Sequence, residues 1–117
     1  MIGIGTHTQV YLVAGATDMR KQIDGLAGLV SDTLAADPFS SHLFVFCNRA
    51  RDKLKILYWY NNGFWLWYRR LEQQRFWWPS ASVSQPVTLS LRELHWLLEG
   101  LDPQQIEGHQ KARFNLI

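Results

Sequence analysis

Between Arg49 and Trp78 the chain interleaves cations with aromatic rings. Arg49, Arg51, Lys53, Lys55, Arg69, Arg70 and Arg75 alternate with tyrosines, phenylalanines and five of the six tryptophans. Phosphate affinity needs lysine and arginine, and base stacking needs open aromatic faces. A surface bearing both is suited to a single strand or a distorted duplex. The seven basic residues are the candidate DNA contacts. Trp65, Trp67 and Trp77 are the candidates for stacking or for contact with a partner. The same residue types also suit a protein docking surface, or a core hairpin whose basic edges deter edge-to-edge pairing. Residue types alone leave these open.

Other chemistry is weakly supported. Two-metal nucleic-acid chemistry needs carboxylates converging on a cation pair. Asp18, Asp24, Asp52 and Glu72 are the candidates, and each has a simpler role. Asp18 precedes a helical stretch and can cap it. Asp24 borders that helix's apolar stripe, and Asp52 and Glu72 sit among arginines. His7, His42, His95 and His109 are scattered, without metal-ligand spacing to one another or to Cys47. Cys47, the only cysteine, ends an apolar run and reads as a small buried hydrophobe. Gly3 and Gly5 stand without a preceding strand, so no phosphate-binding glycine loop is present. The expectation is a non-enzyme with no catalytic residues, no metal, no cofactor and no small-molecule substrate.

Length and charge bound the setting. A chain of 117 residues fits one domain with its own core, and 47% hydrophobic content argues against disorder. Net charge is +2, but the Arg49–Arg75 segment carries seven bases against Asp52 and Glu72, leaving the remainder net acidic. That asymmetry points to a partner with phosphates or carboxylates. The stretch from Met1 to Gln9 does not read as a signal peptide, and no apolar run reaches the roughly 18 residues of a membrane span. One unpaired cysteine fits a reducing compartment. A soluble cytoplasmic protein with no membrane partner is expected.

The elements that must position these residues follow from periodicity. Gln9 to Val13 reads as a short strand broken by Gly15. Met19, Ile23, Leu26, Val30 and Leu34 form one helical stripe, predicting a helix from about Asp18 to Ala35, capped by Thr17 or Asp18. Gly25 and Gly28 inside it suggest close approach of a sheet. Leu43 to Cys47 reads as a buried central strand. Leu54 to Tyr60 and Phe64 to Leu71 form a hairpin around Asn62-Gly63, with Trp59 facing Leu66 and Tyr58 facing Trp67. Leu57, Trp59, Phe64, Leu66 and Tyr68 share one face. Ile56, Tyr58, Tyr60, Trp65, Trp67 and Arg69 share the other. Arg75 to Trp78 suggests a further strand, stopped by Pro79. Val87 to Leu89 is extended, and Ser90-x-x-Glu93 opens a leucine-rich helix as a capping box. The predicted fold is α+β: a mostly antiparallel sheet of four or five strands, packed by one long helix, with a second short C-terminal helix. It occupies residues 1–102 as a single domain, and 103–117 form a mobile tail.

These residues resemble a known family. Thr17-Asp18-Met19-Arg20-Lys21 followed by Asp24-Gly25-Leu26 is similar to the signature of the TnpB accessory protein of IS66-type insertion elements. Leu43-Phe44-Val45-Phe46, Arg51-Asp52-Lys53-Leu54-Lys55, Leu57-Tyr58-Trp59, Tyr68-Arg69-Arg70-Leu71-Glu72 and Trp78-Pro79 extend the likeness over residues 9 to 102. Cys47-Asn48 and Ala50 stand where the family more often has an arginine- and glycine-rich turn. Tyr60-Asn61-Asn62 stands where an aspartate-led turn is usual. The resemblance implies a bacterial accessory role in transposition and DNA recombination, beside a separate transposase that carries the active site. Asp18, Met19, Arg20, Lys21, Asp24 and Gly25 are the family-motif residues. The partners implied are transposon DNA, contacted directly, or the transposase, docked through the aromatic hairpin. Purified protein with magnesium or manganese is expected neither to nick nor to join DNA. Metal-dependent cleavage that disappears in Asp18→Ala or Asp52→Ala would overturn the non-enzyme expectation.

Overall fold

The central strand sets the architecture. In the computed structural model, which describes residues 4, 5, 7–83 and 87–103, Leu43–Cys47 (β2) is buried at every position. Successive strand residues point to opposite faces, so β2 must be covered on both sides. Around it lies a five-stranded sheet formed with Val10–Leu12 (β1), Lys53–Tyr60 (β3), Gly63–Arg70 (β4) and Val87–Leu89 (β5). The spatial order is β4-β3-β2-β1-β5. Only β1 and β2 run parallel, joined by the crossover helix Ile23–Leu34 (α1); the other pairings are antiparallel. The second helix, Leu91–Leu98 (α2), follows β5 directly.

Each helix covers one face. Phe44 and Phe46 of β2 and Leu57 of β3 pack with Leu26 and Val30, with Met19, Ile23 and Leu34 flanking them. The predicted stripe is therefore the buried one. On the other face Leu43, Val45, Cys47, Ile56 and Tyr58 join Leu94 and Leu97 of α2 and Phe76. This two-sided cover explains why both faces of the hairpin are aromatic.

Local chemistry accounts for most boundaries. Ser90 Oγ accepts from the Glu93 N–H at 3.0 Å, and Glu93 Oε1 accepts from the Ser90 N–H at 2.8 Å, completing the capping box. α1 begins later than periodicity suggests: its N-cap is Gln22, with no side-chain cap. Asp18 instead binds Arg20 within the preceding loop. The hairpin turn is Asn61-Asn62, with φ 61° at Asn61, and Tyr60 pairs with Gly63. Trp59 therefore faces Phe64, and Tyr58 faces Trp65. The register is offset by two residues from the expected one, and an even offset leaves every side chain on its predicted face.

Residues 75–78 are not a strand. The Phe76 N–H bonds to the Arg51 carbonyl at 2.7 Å, and the Trp78 indole donates to the Val13 and Gly15 carbonyls at 3.2 and 2.9 Å. The segment thus crosses the strand ends instead of pairing alongside one. Of the expected tail, Pro103 is buried and 104–117 lie outside the described residues.

The helix glycines do not mark a sheet contact. Both are exposed; a Cβ on Gly28 would meet nothing within 4 Å, and one on Gly25 would meet the Lys21 stem first, at 3.4 Å. Gly15 is the opposite case, with φ +80° and Ala81 Cβ 2.9 Å from any added Cβ. Gly28→Ala is expected to raise stability by about 0.5–1 kcal/mol, a rise of about 2–6 °C in thermal midpoint. Gly15→Ala is expected to lower stability by more than about 1 kcal/mol. Denaturant melts of the two variants check both signs.

Candidate nucleic-acid interface

Beyond the reach of α1, the Lys53 and Arg70 end of the hairpin is roofed by loop. After β1 the chain keeps pairing with β2: the Val13 N–H bonds to the Val45 carbonyl at 2.9 Å and the Thr17 N–H to the Cys47 carbonyl at 2.8 Å. It then turns across the sheet end. The Asp18 carboxylate accepts from the Arg20 backbone N–H at 2.9 Å and from its guanidinium at 2.7 to 3.1 Å. These bonds hold the Asp18 carboxyl down at about 2, the Arg20 side-chain bond being the largest cause.

Lys55 fastens this loop from below. The residue is 7% exposed, and Nζ donates to the Met19 and Lys21 carbonyls at 2.8 and 2.9 Å. A buried ammonium needs such acceptors, because lost hydration is not otherwise replaced. The Lys21 stem lies beside Gly25, which has no side chain to obstruct it.

Facing the loop is the β2–β3 turn. Asn48 Oδ1 accepts from the Asp52 and Lys53 N–H groups at 3.1 and 3.0 Å, and Asn48 Nδ2 donates to Asp52 Oδ1 at 2.8 Å. That last bond is the main cause of the lowered Asp52 pKa. Arg51 takes the left-handed conformation, φ 61°, and its N–H donates to the Asn48 carbonyl. Between loop and turn lies an open cleft of about 990 Å³, lined by Ala16 to Arg20, Gln22, Asn48 to Ala50, Lys53, Lys55, Leu66 and Tyr68. It gathers Arg20, Arg49, Lys53 and Lys55 against one carboxylate, Asp18.

The structure distributes the remaining sequence candidates elsewhere. Arg51 and Arg75 are exposed outside this lining, and Arg75 donates to the Gln74 carbonyl. Arg70 pairs with Glu72 at 2.8 Å. Arg69 is on the α2 face, where Nε donates to the Leu98 carbonyl at 2.6 Å. Trp65 and Trp67 are on that face too, stacked at 5.9 Å and 1°, with Tyr58 6.0 Å from Trp67. Trp77 packs partly buried against the α2-side core. Cations of the cleft and stacked tryptophans therefore occupy opposite faces of the sheet. Asp24 and Gly25 lie exposed on the first turn of α1. Among the described residues, no group of three or more His, Cys, Asp or Glu is placed to hold a metal. No helix among them is long and apolar enough to cross a membrane.

Comparison with known proteins gives the chain a family. The family described as IS66 Orf2 like protein matches residues 8–108. The chain belongs to that family. This IS66 Orf2-like chain is 35% identical over 102 residues to the uncharacterized protein y4hO of Sinorhizobium fredii, covering 87% of this chain and 88% of the relative. A second uncharacterized protein of that organism, y4jC, is 31% identical over 102 residues, covering 87% and 86%. No solved structure matches significantly. The family places the protein among transposition accessories of insertion elements. Thr17 to Arg20 form one wall of the cleft, and the carbonyl of the next residue, Lys21, anchors Lys55.

Asn48, Thr17 and Tyr68 were not picked out as site residues by sequence reasoning. The Asn48-to-Asp52 spacing was the available signal, since asparagine side chains close turns of this kind. The Asp18 carboxyl, depressed in the folded state, contributes stability that is present above its ordinary value of 3.8 and is lost as pH falls through about 2. Carboxyl titration followed by NMR should give an Asp18 midpoint near 2, moving up toward the ordinary value in Arg20→Ala. Lys55→Met should cost about 1–3 kcal/mol in urea melts, because two carbonyls lose their donor.

Proposed function

We propose that this protein is a non-catalytic accessory of insertion-element transposition that holds a DNA backbone in the cleft between residues 16–22 and 48–53. The observation that carries this reading is the charge of the cleft: four basic side chains converge on one open space with a single carboxylate, itself bonded to Arg20. Arg49 and Lys53 are the phosphate contacts, and Arg20 borders them. Lys55 is a positioning residue, since its ammonium is already engaged by two carbonyls. Asn48 and its bonds keep Arg49 and Lys53 on a rigid backbone turn, which limits the loop-ordering entropy lost on binding.

A second reading has its own observation. Trp65 is 44% exposed and Tyr60 39% exposed on the face away from the cleft. An open aromatic ladder of this kind suits docking on the transposase.

Salt dependence separates the two. Each phosphate contact releases condensed counterions, giving a log–log slope of about −0.9 per contact on duplex DNA. Two or three contacts predict a slope of roughly −2 to −3 for binding to element-end DNA. The double variant Arg49→Ala with Lys53→Ala should flatten it by about one to two units, while Trp65→Ala leaves it unchanged. If DNA binding shows no salt dependence and Trp65→Ala abolishes binding to the transposase, the docking reading replaces this one.

A further inference from the structure

β4 is an edge strand. β3 pairs with one side of it and, among the described residues, no strand pairs with the other. It runs eight residues without proline, and it follows β3 residue for residue without a bulge. Long flat edges are templates for another strand, and proteins usually blunt them with mid-strand charge, proline or a bulge. Here the charges, Arg69 and Arg70, stand only at the C-terminal end.

The hydrogen-bonding sides of β4 can be assigned. The Leu71 N–H bonds to the Asp52 carbonyl at 2.8 Å, one step beyond the Lys53–Arg70 pair. Peptide groups of an antiparallel strand alternate in direction. Gly63, Trp65, Trp67 and Arg69 therefore bond to β3. Phe64, Leu66, Tyr68 and Arg70 present their N–H and C=O groups to the open side.

We propose that β4 pairs antiparallel with β4 of a second copy of this chain, joining two sheets into one of ten strands. The strand is complementary to itself reversed. In the register centred on Trp67, Arg69 faces the partner's Trp65, Arg70 faces the partner's Phe64, and Leu66 faces the partner's Tyr68. Each guanidinium meets a ring, a favourable cation–π arrangement, and the arginines of the two copies lie at opposite ends. Parallel self-pairing would instead set them side by side. Because outward peptide groups must meet outward ones, facing residues share parity, and both copies turn the α1 face to the same side. Leu66 and Tyr68 line the cleft as well, so the two clefts meet across the two-fold axis.

Sedimentation of the full chain without DNA, over a wide dilution series, should show a monomer–dimer equilibrium. In amide exchange, Phe64, Leu66, Tyr68 and Arg70 should exchange several-fold more slowly in the dimer, while Trp65 and Trp67 change little. Tyr68→Pro removes an outward N–H and no bond to β3, and should give a folded monomer by circular dichroism. Trp65→Lys, facing the partner's Arg69, should also dissociate the dimer, and Trp65→Glu should retain it. Arg49→Ala with Lys53→Ala should still dimerise, which keeps this test separate from that of the cleft. A monomer at every concentration overturns the proposal. So does a dimer whose outward amides exchange freely, or edge protection that appears only when the transposase is added.

Discussion

β2 has no polar side. Leu43, Val45 and Cys47 point one way and Phe44 and Phe46 the other, all buried. Burying a large apolar side chain contributes about 1.5–3 kcal/mol, so leaving either face wet would forfeit much of the stability of a chain this size. The topology follows from that constraint. A parallel β1–β2 pair requires a crossover, and α1 in that crossover covers one face. β5 on the far side of β1 then delivers α2 to the other. The same burial pushes the Cys47 thiol up to about 12, in keeping with its place in the apolar packing of β2.

Cover by short helices is incomplete, and the cleft is what remains. At the Lys53–Arg70 end of the hairpin, among the described residues, the loop of residues 16–22 and not a helix lies beside Lys53, Lys55 and Tyr68 on the α1 face. A loop carries polar backbone that must be satisfied, and Lys55 meets that demand with its ammonium. Lys55 therefore ties the sheet to the 17–21 segment beside the Thr17–Cys47 backbone bond, and the two together hold Asp18 and Arg20 in place.

The elements were legible in the sequence because their signals are local. The Leu43–Cys47 run, the Met19–Leu34 stripe and the Ser90–Glu93 box each declare themselves within a few residues. The hairpin's faces were legible although its turn was misplaced, since Asn-Asn competed with Asn-Gly and an even offset conserves the pleat. What stayed hidden depends on distant contact. Lys55 resembles its neighbour Lys53 in sequence, yet Lys55 is buried beneath carbonyls 34 and 36 residues away. Arg75 to Trp78 has strand-like composition, but bonds from Phe76 to Arg51 and from Trp78 to Val13 and Gly15 take the segment out of any ladder. Interleaved cations and rings suggested one platform. Alternation along β4 put Trp65, Trp67 and Arg69 on one face and the cleft on the other.

The pairing of β1 with β5 joins residues 10–12 to residues 87–89. It governs the order in which the fold can assemble. The β3–β4 hairpin closes over a two-residue turn and can form within microseconds, whereas a contact of such separation carries the full loop-closure entropy and forms late. During synthesis, β1 leaves the ribosome early but keeps an unpaired outer edge until β5 emerges. Ser90 and Glu93 lie immediately behind β5, so α2 can nucleate as that edge closes, and β5 and α2 join the sheet together.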